Sequence, residues 1–84
     1  EADHDVRLIS VADKLHNARS ILTDLKVLGS NVWNRFNASR DEILWYYRSV
    51  LSALQEGWMH PLVHELEEVV DQIERLSETA RSAT

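Results

Sequence analysis

Four polar residues near the start of the chain are spaced so that they would share one face of a helix. Asp13, Asn17, Ser20 and Asp24 follow one another at offsets of four, three and four, and residues three or four apart are neighbours on a helical surface. A carboxylate, an amide and a hydroxyl that project in the same direction can hold a hard cation or a polar ligand. The same spacing is also typical of a solvent-facing stripe, so the helix around it has to be considered.

The helix that carries this stripe is predicted over about residues 5–28, with Asp3 or Asp5 as its cap and Gly29 at its end. Its main apolar face recurs every three to four residues and consists of Leu8, Val11, Leu15, Ala18, Leu22 and Leu25. Further apolar residues lie nearer the polar stripe: Ile9, Ile21, Val27 and Leu28. A helix that is apolar on several sides favours a central position, where polar groups are costly unless they find partners.

Two more helices complete an all-α prediction with three main helices in a single domain, residues 1–84. The second is predicted over about residues 40–55, where Ser39 and Glu42 have the spacing of a capping box. The third is predicted over about residues 61–78, because Pro61 suits the first turn of a helix. The segment between the first two helices, SNVWNRFNAS, reads as a loop.

Within the first helix, the sequence ADKLHNAR at residues 12–19 resembles a motif of the HD-domain phosphohydrolases, in particular those of the RelA/SpoT type. The resemblance implies that Asp13 is a ligand to a divalent metal such as Mn²⁺, and that Asn17 and Ser20 contact a nucleotide substrate. The sequence WYYRSVL at residues 45–51 resembles the next helix of the family, which implies that Tyr46 and Tyr47 contact the substrate as well. The resemblance covers about residues 5–55.

The resemblance further implies a metal-dependent phosphohydrolase that acts on a nucleotide, with a guanosine polyphosphate as the suggested class. A metal of this kind would activate a water for attack on a phosphate ester. The family takes its other metal ligands from an upstream His and a His-Asp pair on earlier helices. This chain therefore resembles the C-terminal part of such a domain. We expect it to be inactive alone, with no catalytic residue and no bound metal.

The dipeptide His4-Asp5 does not replace the missing ligands. Along one helix, His4 and Asp13 would lie about 13 Å apart at a rise of ~1.5 Å per residue. That distance is too long for two ligands that share one ion through bonds of ~2.1 Å. We interpret the dipeptide as a helix cap, since Asp is favoured there.

Other candidate residues have structural interpretations that compete with functional ones. His16 is expected to be packed or hydrogen-bonded, and the four-residue spacing of His60 and His64 would suit zinc but more simply reflects chance. Arg48 would contact phosphate or form an ion pair. Two roles are open for the aromatic residues: stacking on a nucleotide base, or burial in the core or an interface. These residues are Trp33, Phe36, Trp45, Tyr46 and Tyr47.

Composition limits the classes of function. The chain has 84 residues, no Cys and a net charge of −5, which excludes a disulfide scaffold and argues against nucleic-acid binding. No apolar run approaches a membrane span and no signal peptide is visible, so a cytoplasmic location is predicted. The net negative charge is concentrated in residues 61–84, where six acidic residues stand against two arginines, and a solvated helix face is expected there.

Two alternatives to the hydrolase fragment stay open. One is a non-enzymatic helical module that associates through apolar faces, and the other is a nucleotide-binding regulatory domain that has lost its metal ligands. Exposed apolar surface predicts a homo-oligomer, most simply a two-fold dimer. The dimer would bury Ile9, Ile21 and Leu28 together with some of Trp33, Phe36 and Trp45.

Overall fold

The computed structural model describes the backbone of residues 2–83 and the side chains of residues 5–79. Helix α1 spans Ala2–Leu28, a 3-10 helix spans Gly29–Arg35, α2 spans Arg40–Gln55 and α3 spans Pro61–Ala83. Residues 2–83 contain no strand, so the all-α prediction with three main helices is confirmed. None of the helices in this range combines the length and apolarity that crossing a membrane requires.

Local signals in the sequence position the helix ends. The Ser39 hydroxyl accepts a hydrogen bond from the Glu42 amide at 3.2 Å, and the Glu42 carboxylate accepts one from the Ser39 amide at 3.0 Å. This is the predicted capping box, and it fixes the start of α2. Pro61 is the first residue of α3. Gly29 follows α1 with a φ of 60°, a left-handed conformation that glycine adopts without strain.

Three boundaries differ from the sequence prediction. Because α1 begins at Ala2, Asp3 and Asp5 lie within the helix and do not precede it. Helix α3 continues past residue 78 to Ala83. The segment predicted as a loop contains the 3-10 helix, which closes on the hydrogen bond from the Phe36 amide to the Trp33 carbonyl at 3.2 Å.

Helix α3 is the central element of the fold. It packs against α1, α2 and the 3-10 helix, whereas α1 and α2 contact each other only weakly. The prediction that α1 is central is therefore wrong, because most of the apolar residues outside its main face are exposed, with Ile9 70% accessible. The core is built from the apolar faces of all three helices and Val32: Val11, Leu15, Ala18, Ile21, Leu22, Leu25, Val32, Leu44, Tyr47, Leu51, Leu54, Val63, Leu66, Val69, Val70 and Ile73.

The acidic face of α3 is bound to arginines of the other helices, which corrects the expectation of a purely solvated face. The interhelical ion pairs are Arg19–Glu65, Arg48–Asp71, Arg48–Glu74 and Arg40–Glu78, at 2.6–3.1 Å. Exposed pairs of this kind contribute little stability one by one. Together they link both α1 and α2 to α3, and a groove lies between α1 and α2.

Candidate ligand-binding groove

The groove between α1 and α2 contains two adjoining depressions that share Ile21, Phe36 and Tyr47. The smaller, about 260 Å³, is also lined by Asn17, Ser20 and Arg35. The larger, about 430 Å³, is lined in addition by Ala38, Glu42, Ile43, Trp45 and Tyr46. The groove exists because both helices pack on α3 and only weakly on each other.

Three of the four residues predicted to contact a substrate meet in the smaller depression. Asn17 and Ser20 are exposed on α1 and project into it from one side. Tyr47 of α2 forms another part of the wall, with its side chain 5% accessible. An amide, a hydroxyl and a phenol ring thus surround one small space, which suits hydrogen bonding to a polar ligand.

The fourth predicted residue, Tyr46, lies in the larger depression beside Trp45. The Tyr46 and Tyr47 rings meet edge to face, with centroids 5.4 Å apart, a favourable geometry for aromatic pairs. Trp45 is 71% accessible and Tyr46 is 44% accessible. The groove therefore has a polar end toward α1 and an aromatic end toward α2.

Arg35 and Phe36 complete the smaller depression. Sequence reasoning named Phe36 only as a stacking or core aromatic residue and missed Arg35, because their segment was interpreted as a loop. Arg35 pairs with Asp24, the last residue of the polar stripe. Its guanidinium also lies 5.6 Å from the centre of the Phe36 ring, within cation–π distance. No local sequence pattern marks these two residues, since the 3-10 helix brings them to the groove from outside the motif.

Asp13, the predicted metal ligand, lines neither depression. Its carboxylate is 61% accessible and lies 3.6 Å from the Lys14 amine. Within residues 5–79, no group of three His, Cys, Asp or Glu residues is placed to hold a metal ion. The arrangement therefore does not fit a hydrolytic metal centre, which needs several protein ligands besides the reactive water.

Two ionisable groups beside the groove are perturbed. Hydrogen bonding to the Tyr46 side chain, opposed by partial burial, raises the pKa of the Lys14 amine. Burial, reinforced by the nearby Tyr46, raises the pKa of the Tyr47 phenol. Both groups are protonated at neutral pH with their ordinary pKa values, and the upward shifts extend the protonated forms further into alkali. The groove thus presents hydrogen-bond donors, one guanidinium and aromatic rings, which are groups suited to binding.

The remaining candidates lie away from the groove. His16 is expected to be packed or hydrogen-bonded, and its exposure contradicts the packed alternative. His60 precedes α3, where its Nδ1 accepts a hydrogen bond from the Leu62 amide at 3.1 Å, and its ring stacks on Trp58 at 5.3 Å. His64 lies 3.5 Å from Glu68. Arg48 is ion-paired with α3, the structural alternative predicted for it.

Comparisons with protein-family models, with curated proteins and with solved structures find no match to this chain. The geometry of the groove is therefore the evidence on which a function has to be argued.

Proposed function

We propose that this chain is the C-terminal helical part of a metal-dependent phosphohydrolase of the HD type, and that it supplies the nucleotide-binding wall of the active site. The suggested substrate class is a guanosine polyphosphate, and the suggested location is the cytoplasm. The proposal assigns nucleotide contacts to Asn17, Ser20, Tyr46 and Tyr47. It assigns no hydrolysis to the chain alone, since the resembling family takes its other metal ligands from helices upstream of this motif.

The observation that carries the proposal is the convergence of Asn17, Ser20 and Tyr47 around one depression. Asn17 belongs to the HD-like motif, Ser20 follows it directly and Tyr47 comes from the next helix, so residues distant in sequence line one space, which supports the proposal. Arg35 adds a cation for a phosphate, with half of its side chain accessible. Phe36 adds an aromatic surface on which a base can stack.

Nucleotide binding by the 84-residue chain tests the proposal. Guanosine diphosphate, titrated into isotope-labelled protein, should shift the NMR signals of the residues that line the smaller depression. Asn17→Ala should weaken binding, because it removes an amide that faces the ligand. Arg35→Gln should weaken binding by up to about fivefold, which corresponds to the interaction free energy of an exposed ion pair.

Arg19→Gln is the matched control, since Arg19 is an exposed arginine paired with Glu65 on the other side of α1. It should leave the affinity unchanged. Wild-type affinity for guanosine diphosphate in both the Asn17→Ala and the Arg35→Gln protein would reject the nucleotide-binding assignment. NMR shifts that map outside the groove would reject it as well. Circular dichroism of each variant shows whether the helices are intact.

A second candidate function is a helical interaction module that forms a homo-oligomer, and the accessible aromatic end of the groove favours it. Trp45 and Tyr46 are large side chains exposed beside Ile43 and Phe36. Contiguous apolar surface of this kind commonly marks a protein interface. Sedimentation distinguishes this function from nucleotide binding.

A further inference from the structure

Lys26 and Arg75 stand apart from the other cations whose side chains the structure describes. Both are exposed, and neither has an ion pair within residues 5–79. Every other Lys or Arg in that range contacts a carboxylate or a backbone carbonyl oxygen. In a chain with a net charge of −5, two uncompensated cations are unexpected.

These two cations line the same depression, on the face of the molecule between α1 and α3. The depression measures about 330 Å³, at the small end of the range for ligand sites. Leu22 and Lys26 are one turn apart on α1, while Gln72, Arg75, Leu76 and Thr79 follow at helical spacing on α3. The two leucines give the depression its apolar lining, with Leu22 8% accessible and Leu76 half-buried.

The carboxylates that could neutralise this pair are engaged elsewhere. Asp71, one turn before Arg75, bonds to Arg48 at 2.8 Å. Glu78 lies toward Arg40, and Asp24, the acid closest to Lys26 in sequence, pairs with Arg35. The fold therefore turns Asp71, Glu74 and Glu78 toward the arginines of α2 and leaves a positive, partly apolar groove beside α1.

We infer that this groove binds a dissolved aliphatic carboxylate, with the head group between Lys26 and Arg75 and the chain along Leu22 and Leu76. A carboxylate complements two unpaired cations. An aliphatic chain matches the leucines, because no aromatic ring lines the depression and a nucleotide base would have nothing on which to stack. This site is separate from the α1–α2 groove and does not depend on its function.

Titration of the labelled chain with octanoate tests the inference. The NMR signals of Leu22, Gln72, Leu76 and Thr79 should shift together, and octanol should bind more weakly because it lacks the charge. Since each fully buried methylene strengthens binding by about fourfold, hexanoate in this open groove should bind roughly four- to fifteen-fold more weakly than octanoate. Lys26→Gln and Arg75→Gln should each weaken octanoate binding by about two- to fivefold.

Lys14→Gln is the control, because it removes a partly accessible cation that lies outside this groove and should leave octanoate affinity unchanged. All three substitutions lie on the surface, and thermal melting verifies that each variant is folded. Equal affinity for octanol and octanoate, or unchanged affinity in the Lys26→Gln, Arg75→Gln double variant, would overturn the inference. Recruitment to anionic phospholipid vesicles without binding of free octanoate would also overturn it and indicate a membrane surface as the source of the anion.

Discussion

Tyr47 shows how one residue can belong to the core and to the candidate site. Its ring is buried between α2 and the rest of the fold, yet it lines both depressions of the α1–α2 groove. Burial, the main cause, and then the nearby Tyr46 raise the pKa of its phenol above the ordinary value of 10.0. A Tyr in this position therefore makes stability depend on pH.

The sign of that dependence follows from linkage. Above pH 10 the unfolded chain loses the Tyr47 proton first, so the folded state holds more protons and stability falls as pH rises. Tyr47→Phe should melt at nearly the wild-type temperature at neutral pH and lose less stability in alkali. The raised pKa of Lys14 also lowers stability as pH rises. Part of the loss of stability in alkali should therefore persist in the Tyr47→Phe protein. Thermal melts across the alkaline range measure both effects.

Tyr46→Phe is the matched control, because Tyr46 is far more accessible than its neighbour. It removes the contributions of Tyr46 to the pKa values of Lys14 and Tyr47, and it should retain the alkaline loss of stability that comes from the burial of Tyr47. A Tyr47→Phe protein that loses stability in alkali as steeply as the wild type would contradict the assignment to Tyr47.

At the scale of elements, the contact between the start of α2 and the later turns of α3 depends on one arginine. Arg40 is largely buried, and its Nε donates a hydrogen bond to the Ser77 hydroxyl at 2.6 Å. Ser77 is 2% accessible and donates in turn to the Glu74 carbonyl at 3.0 Å. These hydrogen bonds join the start of α2 to α3 and add to the apolar contacts between the two helices.

Ser77→Ala should lower the free energy of unfolding by about 1–3 kcal/mol, because it leaves the buried Arg40 Nε without its acceptor. Urea denaturation measures the change. Ser52→Ala, an exposed serine on α2, should leave stability unchanged or raise it slightly, since Ala is the better helix former. Equal stability of the two variants would show that the Arg40–Ser77 bond contributes nothing.

Element boundaries were more predictable than the packing of the elements. Ser39, Glu42 and Pro61 act within a few residues of themselves, so their patterns located the start of two helices. The position of α3 at the centre depends on which apolar faces meet. The central position predicted for α1 was wrong because this helix carries apolar residues such as Ile9 that stay exposed. Local spacing likewise grouped Asn17 with Ser20, whereas Arg35 reaches the groove only through the fold.

At the scale of the whole molecule, the fold is elongated, about 47 × 19 × 19 Å, and three helices cannot cover all of their apolar residues. The predicted dimer interface changes accordingly. Ile21 is already buried within one chain, so it cannot supply much new interface. Trp45, Tyr46 and Ile9 remain accessible and are the better candidates.

We expect the chain to form a two-fold dimer at micromolar concentration through the aromatic end of the groove, because a self-complementary interface is the commonest way to cover such surface. Trp45→Glu should shift sedimentation toward the monomer, since it places a charge where apolar contact is needed. Met59→Glu is the control: Met59 is 96% accessible and lies in the turn between α2 and α3, away from the groove. A monomeric, cooperatively melting wild type, or equal dissociation by both variants, would contradict the interface. If the wild type is monomeric, the three main helices form a stable unit by themselves. The exposed aromatic residues would then have to be explained by a ligand in the groove.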